Sequence, residues 1–460
     1  MAPKYSVRDG LKIITGCRCM TPRKPGRPAG KHNQPAVVCR SQVKKTITKK
    51  KFPKTSVPRP ADDASPHFRS VLSSYSWADV WLQRASEHFG RAWLTGRLKR
   101  WKWQMCTAFS GVGAAESAAL SLETAAKKFL ANQTKSGCKN LRRHLVLRAS
   151  CEISADCQLV LRNTYGTCNF GDICDLDFDS DRGSFCTTHQ KYCTFKRCSH
   201  PKRLNVGHGS PVCVMYSRMG LGLKEMDVGF KTHEAFYKQY AKVCDVLTIE
   251  NVTEYPRDVV QKHLGPNWSI QDVQVDPRNV GLGMGRARSF FIAYRNDKIQ
   301  WNATYSLESF LECPASKSAL SAGNYFWQNH PEDKLSQAEE RNLSAYRCIG
   351  KKFKFPDLSQ YAANNRGRGE LSDGSLPTLT TNSSKIWSEE KKRFLKPTEM
   401  MSAQTIPCTR MQSKAAGAPC VKFRGIKPSK IAAMAGNSLS VPTYGYVLLA
   451  AACALEPRVD

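Results

Sequence analysis

The sequence predicts an α/β protein built around a parallel β-sheet. After Met105, strand-like runs such as HLVLRASCE, DVLTIEN and SFFIAYR alternate with helix-forming segments, of which the alanine-rich residues 114–131 are the clearest. Strands that alternate with helices are typical of parallel sheets, because a crossover helix has to carry the chain back between parallel neighbours. The 460 residues are enough for one large domain and a smaller one.

Residues 1–62 predict a disordered basic tail. The first 60 residues contain 16 lysines and arginines and a single acid, Asp9, and prolines and glycines interrupt every periodic pattern. Around Arg27, the segment RKPGRPAGK resembles an AT-hook, whose arginine lies in the narrow minor groove of A·T-rich DNA. The lysine run at residues 49–51 resembles a nuclear-import signal and predicts a location in the nucleus. The alternative is an unspecific basic tail.

The whole chain is strongly basic, with a net charge of +32. A charge of this size predicts a polyanionic partner, and nucleic acid is the first candidate. The N-terminus lacks an apolar signal core, and no stretch approaches the roughly 18 apolar residues of a membrane span. The 19 cysteines are therefore expected in a reducing compartment, where they are free, metal-bound or catalytic.

Between the tail and the α/β region, residues 63–104 predict a helical lead-in. This stretch is rich in aromatic residues, and Trp77 and Trp81 are spaced four apart, as residues on one helix face are. Large aromatic side chains bury much apolar surface, so we expect the lead-in to pack against the main domain.

Three short motifs predict a nucleoside-binding crevice. Phe109, Gly111 and Gly113 belong to FSGVG, between a strand-like run and a helix, where glycines let the backbone approach a ligand. Glu152 ends the next strand and is placed to accept hydrogen bonds from ribose hydroxyls. Asp172 follows a probable third strand and can accept from an adenine amino group. Each acid taken alone could equally be a solvated loop carboxylate.

A second set of motifs follows in a fixed order. GSPVC at residues 209–213 leads into Tyr216 and Ser217, and GRAR at residues 285–288 runs into SFFIAYR. Between them, ENV at residues 250–252 ends an apolar strand, and GNSLSVP at residues 436–442 lies near the C-terminus. Together with FSGVG and GDI, this ordered set resembles the DNA (cytosine-5) methyltransferase family, and the resemblance spans residues 105–450.

The resemblance implies a Rossmann-like sheet of the kind that binds S-adenosylmethionine, the methyl donor, and double-stranded DNA as the substrate. Residues 105–299 would be the catalytic domain, residues 300–375 an inserted target-recognition domain, and residues 376–460 the segment that completes the catalytic domain. The target cytosine has to leave the duplex, because its carbon 6 is unreachable within the base stack.

The family's residue roles carry over to matching positions. Cys213 would be the nucleophile that adds to carbon 6, and Glu250 would hold ring nitrogen 3. Asn251 would fix the geometry of the loop, while Arg286 and Arg288 would anchor the loop and the flipped nucleotide and favour a thiolate. Ser217 would contact DNA. The implied cofactor contacts are Phe109, Gly111, Gly113, Glu152, Ile153, Asp172, Ile173, Asn437 and Ser438.

The sequence departs from the family pattern next to the nucleophile. The family has Pro-Cys-Gln where this chain has Val212, Cys213 and Val214, and the glutamine that the family places before its paired arginines is absent. These changes motivate the alternative of a catalytically silent homologue that only binds DNA. Methylation of RNA cytosine by the same chemistry is a second alternative, which the AT-hook-like tail disfavours.

A Cys- and His-rich insertion lies between Asp172 and Cys213. Four of its cysteines and histidines could complete a tetrahedral zinc site, and their short spacings suit a zinc knuckle. The alternative is a surface insertion without metal. The candidate ligands are Cys186, His189, Cys193, Cys198 and His200.

Overall fold

The structure is a computed structural model that describes nine segments of the chain. These are residues 65–132, 144–195, 203–217, 222–302, 304–312, 320–348, 354–362, 374–381 and 385–458. The basic tail with Arg27, and the candidate ligands Cys198 and His200, lie outside the described residues.

The described residues form helices and strands in alternation. The helices are α1 (Pro66–Ser74), α2 (Trp77–Phe89), α3 (Arg91–Arg100), α4 (Ala114–Ala131), α5 (Ala155–Thr164), α6 (Phe230–Val243), α7 (Arg257–Leu264), α8 (Leu307–Glu312), α9 (Gln337–Cys348), α10 (Pro397–Ala403), α11 (Arg410–Ala416), α12 (Pro428–Asn437) and α13 (Val441–Ala454). The strands are β1 (Trp103–Ala108), β2 (Leu145–Cys151), β3 (Cys168–Phe170), β4 (Ser184–Cys186), β5 (Lys191–Cys193), β6 (Leu204–Gly209), β7 (Val246–Asn251), β8 (Trp268–Val275), β9 (Arg288–Arg295), β10 (Ile299–Trp301), β11 (Trp387–Ser388), β12 (Arg393–Phe394) and β13 (Leu455–Pro457).

One large sheet organises this part of the chain. Its strand order is β5-β4-β3-β2-β1-β6-β7-β9-β8, and the five strands from β3 to β7 in that order are parallel. Strand β9 runs antiparallel to both of its neighbours, β7 and β8, and β4 and β5 form an antiparallel hairpin at the other edge. The predicted α/β fold with a Rossmann-like sheet is therefore confirmed. The sheet is parallel only in its centre.

The central strand β6 is unexpectedly polar for a buried position, and its polar groups are paired within the sheet. The backbone and side-chain amides of Asn205 both donate to a carboxylate oxygen of Asp245, at 2.9 and 3.0 Å. A side chain at Gly207 would collide with the ring of Tyr240, and one at Gly209 would collide with the ring of Phe236. Both rings belong to α6. The low apolar content of this strand thus reflects tight packing of α6 on the sheet.

The lead-in helices pack as the aromatic spacing predicts. Trp77 and Trp81 are almost fully buried in the main hydrophobic core, with the rings of Trp81 and Tyr446 on α13 in edge contact at 5.8 Å. Gly445 on α13 lies directly under the Trp77 indole, where a Cβ atom would clash. Helices α1 to α3 therefore form part of the same packed unit as the sheet. None of the described helices combines the length and the apolar character that a membrane span needs.

A small separate cluster of apolar residues lies outside the two faces of the sheet. It contains Leu343, Tyr346, Leu358, Ala362 and Trp387, with Phe394 packed against it. Leu307, Phe310, Ala322 and Tyr325 contribute instead to the main core. The small cluster thus combines residues inside the predicted 300–375 with Trp387 beyond it, and the bounds of the target-recognition domain and its role stay predictions.

A fully buried ion pair joins this region to α10. The Arg393 guanidinium donates to both carboxylate oxygens of Glu399 at 2.9 Å, and the two side chains are 2% and 0% exposed. Glu399 also accepts from the backbone N–H groups of Gln328 and Lys396. The pair thus ties three stretches of chain together.

We predict that Glu399→Gln lowers the free energy of unfolding by about 3–5 kcal/mol, because it leaves a buried guanidinium without its counter-charge. Urea unfolding of the full chain measures this. Arg347→Gln is the matched control: it breaks the exposed Arg347–Glu389 pair and should cost less than about 1 kcal/mol. Equal losses in the two variants would contradict the prediction.

Candidate active site

Strand register brings a carboxylate and a guanidinium together at the end of β7. Glu250 lies opposite Phe290 in the antiparallel β7–β9 pair, so Arg288, two residues from Phe290, is its diagonal neighbour on the same face. The Arg288 Nε atom lies 3.0 Å from Glu250 Oε1, and the side chains are 16% and 9% exposed. This largely shielded pair belongs to the candidate site.

Asn251 connects this strand end to the loop that carries Cys213. Its side-chain amide donates to the carbonyl of Pro211 at 3.2 Å, and its Oδ1 accepts from the backbone N–H of Val252 at 2.9 Å. Asn251 is buried, so these two hydrogen bonds are shielded from water. The loop-fixing role that the resemblance implies for Asn251 agrees with this geometry.

Cys213 begins a turn and is partly exposed between two exposed valines, Val212 and Val214. The backbone N–H groups of Tyr216 and Ser217 donate to its carbonyl at 3.0 and 2.9 Å. Burial raises the pKa of the Cys213 thiol above its ordinary value, and the Glu250 charge raises it further, while Arg288 and Arg286 oppose the shift. The two arginines thus act in the direction of a thiolate, as the sequence predicts, but burial and the Glu250 charge outweigh them.

The two arginines have different surroundings. Arg286 is fully buried: its backbone N–H donates to Asp276 Oδ2 at 3.2 Å and its Nη1 to the carbonyl of Leu379 at 2.9 Å. Burial lowers the pKa of Arg286 to about 9, so it stays protonated at neutral pH. Arg286 thus joins the site to the 374–381 segment, whereas Arg288 faces Glu250.

Two histidines support the Cys213 loop, although no sequence motif pointed to them. His233 on α6 donates from Nε2 to the carbonyl of Val212 at 2.9 Å, and its Nδ1 accepts from the hydroxyl of Tyr255 at 3.0 Å. His208 at the end of β6 lies 3.2 Å from the hydroxyl of Ser210. Burial lowers the pKa of His233 to about 4 and that of His208 to about 3, so both rings are neutral.

The end of β1 forms a concave loop of unusual backbone. Phe109, Gly111 and Gly113 all have positive φ angles, of 54°, 54° and 87°. Such a run turns backbone N–H groups toward one side, and the Gly111 N–H donates to Glu152 Oε2 at 2.8 Å. Burial raises the pKa of Glu152, which also accepts from Ser154 N–H at 2.8 Å. The loop after β1 and the acid after β2 therefore meet, as the motifs predict.

The other predicted cofactor residues divide into exposed and buried groups. Ile153 is 70% exposed next to the half-buried Glu152, and Asp172 caps the turn after β3 by accepting from Cys174 N–H at 2.9 Å. Ile173 is instead buried in the core, and Ser438, which directly follows α12, donates to the carbonyl of Met434 in that helix. Asn437, at the end of α12, is exposed.

A cluster of thiols and one imidazole lies at the edge of the sheet. The ligand atoms of Cys168, Cys186, His189 and Cys193 all lie within 4.8 Å of one another. Three of the predicted zinc ligands are thus brought together. Cys168, which precedes the insertion in sequence, was missed, because only the pairing of β3 with the β4–β5 hairpin places it there.

No family model and no curated protein matches this chain. Among solved structures it is similar to the Entamoeba histolytica methyltransferase EhMeth, at 13% identity over 75% of this chain and 97% of that one, with a TM-score of 0.43. The S. pombe Dnmt2 methyltransferase is 14% identical over 75% and 97%, with a TM-score of 0.43. A Spodoptera frugiperda DNMT2 mutant is 15% identical over 75% and 98%, with a TM-score of 0.34.

The pKa of the Cys213 thiol can be measured by alkylation with iodoacetamide at a series of pH values. Mass spectrometry of the peptide that contains Cys213 gives the extent of labelling at each pH. Because the Glu250 charge raises the thiol pKa, we predict that Glu250→Gln shifts the labelling midpoint down by roughly one pH unit. Arg288→Ala should shift it up. Glu234→Gln, on the exposed side of α6, serves as the control and should leave the midpoint in place. An unchanged midpoint in Glu250→Gln would refute the proximity of these charges.

Proposed function

We propose that this chain is a DNA (cytosine-5) methyltransferase that transfers a methyl group from S-adenosylmethionine to carbon 5 of a flipped cytosine. The observation that carries this proposal is the meeting of three predicted motifs at one end of the central strands β6, β7 and β9. Asn251 holds the Cys213 loop against the end of β7, where Glu250 pairs with Arg288. A thiol, an acid and two guanidinium groups are what methylation at this carbon requires.

The need for a thiol follows from the base. Carbon 5 of cytosine is too weak a nucleophile to attack a methyl donor directly. The Cys213 thiol loses its proton to water, its sulfur bonds to carbon 6, and the resulting enamine makes carbon 5 nucleophilic. Glu250, having taken a proton from solvent, donates it to ring nitrogen 3 as sulfur adds, and this draws electron density from carbon 6. Glu250 recovers that proton when sulfur leaves. After methyl transfer, the carbon 5 proton leaves, the sulfur–carbon bond breaks and the ring regains its aromaticity.

The crevice beside β1 fits S-adenosylmethionine, which when bound supplies an electrophilic methyl group on a sulfonium. The backbone cradle at Phe109, Gly111 and Gly113 suits close approach of the methionine part. The Glu152 carboxylate would accept hydrogen bonds from the ribose hydroxyls, and the exposed side chain of Ile153 would pack against the adenine ring. We propose zinc as a second cofactor, held in the cluster of Cys168, Cys186, His189 and Cys193.

The positive charge of the basic tail and the AT-hook-like element around Arg27 favour double-stranded DNA as the partner. They also favour a location in the nucleus. RNA cytosine methylation remains the alternative within the same chemistry. The alternative without this chemistry is a homologue that binds DNA but does not catalyse methylation. Val212 and Val214, which replace the family's residues beside the nucleophile, motivate it. Retention of Cys213, Glu250, Asn251 and both arginines in one site favours an active enzyme.

We predict that Cys213→Ser abolishes transfer of tritiated methyl groups to duplex DNA and leaves binding of S-adenosylhomocysteine within about twofold, because the nucleophile does not touch the donor pocket. Wild type should form a denaturation-resistant adduct with duplexes that contain 5-fluorocytosine, whose carbon 5 cannot lose a proton. Glu250→Gln should be severely slowed with donor binding intact.

The matched control is Cys348→Ser, which removes an exposed thiol remote from the site and should retain full activity. Transfer RNA offered in parallel tests the substrate. Normal turnover by Cys213→Ser would refute the nucleophile, methylation of transfer RNA alone would favour the RNA alternative, and no transfer to either would favour the silent homologue.

A separate prediction concerns the tail. Deletion of residues 1–60 should weaken DNA binding and flatten its salt dependence, because each phosphate neutralised contributes about 0.9 to the slope of log affinity against log salt. Methyl transfer should persist at low ionic strength. Arg27→Ala alone should erase any preference for A·T-rich duplexes at a much smaller cost in affinity.

Single Lys→Ala changes elsewhere in the tail, such as Lys50→Ala, are the control for Arg27→Ala. If Arg27→Ala behaves like them, with A·T preference unchanged, the AT-hook assignment is wrong and the tail is a general electrostatic tether. Binding isotherms on A·T-rich and G·C-rich duplexes at several salt concentrations measure both effects.

A further inference from the structure

The geometry of the thiol–imidazole cluster is that of a tetrahedral metal site. The sulfur atoms of Cys168, Cys186 and Cys193 lie 3.5, 3.4 and 3.5 Å from one atom, Nδ1 of His189. A ring nitrogen carries either one proton or one lone pair, so it cannot bond to three thiols at once. Metal–sulfur bonds of about 2.3 Å and metal–nitrogen bonds of about 2.0 Å give a tetrahedral sulfur–nitrogen edge of about 3.5 Å.

The local backbone prepares two of the ligands. Cys186 and His189 are separated by two residues in the turn between β4 and β5, closed by a hydrogen bond from Gln190 N–H to the carbonyl of Cys186 at 2.8 Å. The backbone N–H of Asn169 donates to the Cys186 sulfur at 3.4 Å, and those of Thr188 and His189 also point to it. Such N–H groups are the outer shell that orients a metal-bound sulfur.

The β4–β5 hairpin has little else to hold it. Each of its strands is three residues long, and its large side chains Phe185 and Tyr192 are 47% and 49% exposed. Only Cys186 is buried in the core, and a two-stranded hairpin of this size is marginal alone. A cross-link from the hairpin to the neighbouring strand would supply the missing stability.

We infer that Cys168, Cys186, His189 and Cys193 bind one structural zinc ion, and that this ion holds β3 and the adenine side of the cofactor crevice in place. The set is three thiols and one imidazole at tetrahedral spacing, which suits zinc. All four positions are filled by the protein, so the site leaves no open position for a reaction and is structural.

The connection to the crevice runs through β3. This strand has three residues, with Cys168 at its start, and Asp172 follows two residues after its end. On one side the backbone N–H of Glu152 donates to the carbonyl of Phe170 at 2.9 Å, and on the other Thr187 N–H donates to that of Asn169 at 2.7 Å. Zinc at Cys168 would therefore clamp the strand that positions both cofactor acids. This coupling rests on the proposed binding of S-adenosylmethionine.

The test measures metal and cofactor binding separately on the full chain. Purified protein should contain about one zinc per chain by elemental analysis. Replacing it with cobalt should give the visible bands of a tetrahedral thiolate site. Cys168→Ala and His189→Ala should each lose the metal and weaken binding of S-adenosylhomocysteine, measured by calorimetry, by about tenfold. Cys348→Ser, an exposed thiol outside the cluster, should change neither quantity.

If the variants fail to fold, zinc can instead be removed from the wild-type protein with a chelator and then added back. Removal should weaken binding of S-adenosylhomocysteine, and added zinc should restore it. Wild-type protein that is purified without zinc, takes up none when zinc is added, and still folds and binds S-adenosylhomocysteine would overturn the inference. Stoichiometric zinc in wild type with unaltered affinity after its removal would overturn the coupling and leave only the metal site. Zinc-loaded protein that does not bind S-adenosylhomocysteine at all would instead refute the proposed function.

Discussion

The antiparallel pairing of β9 with β7 is the constraint on which the candidate site depends. A shift of one residue in this register would turn Arg288 to the opposite face of the sheet and leave Glu250 buried without a partner. Both strands are buried along almost their whole length, so core packing fixes the register. The site's charge pair is thus positioned by the hydrophobic core and not by loop geometry. Asn251, the next residue on β7, connects this fixed strand end to the Cys213 loop through one hydrogen bond to Pro211.

The electrostatics of Cys213 suggest when its thiol would ionise in the proposed reaction. In the free protein burial and the Glu250 charge hold the proton on sulfur, against the two arginines. A cytosine ring whose nitrogen 3 shares a proton with Glu250 would bring that carboxylate close to its neutral form. The influence of Arg288 and Arg286 would then prevail, and the thiol pKa would fall only once the base is in place. A protonated resting thiol is also less prone to oxidation and alkylation, which suits a partly exposed cysteine.

Sequence reasoning predicted the features that depend on local pattern and motif order. The strands β2, β7 and β9, the lead-in helices and the meeting of Gly111 with Glu152 all follow from short-range signals. It could not reveal contacts made by pairing of distant segments: Cys168 joins the thiol cluster only because a hairpin folds back on β3, and His233 reaches the Cys213 loop from a helix. The burial of individual side chains could not be predicted from the sequence either. The position of Ile173 in its motif does not indicate that its side chain turns into the core.

The two halves of the site are supported by different means. The base-binding half lies at the centre of the sheet, where β6, β7 and β9 are covered on both faces, so its geometry is maintained by packing. The cofactor half lies toward an edge, where β3 is short and its outer neighbour is a small hairpin with exposed aromatic side chains. A short strand whose outer neighbour is a small, mostly exposed hairpin gains little rigidity from that side, and the proposed tetrahedral cross-link through Cys168 would supply it. Nucleophile geometry and cofactor affinity should therefore be separable properties of this chain.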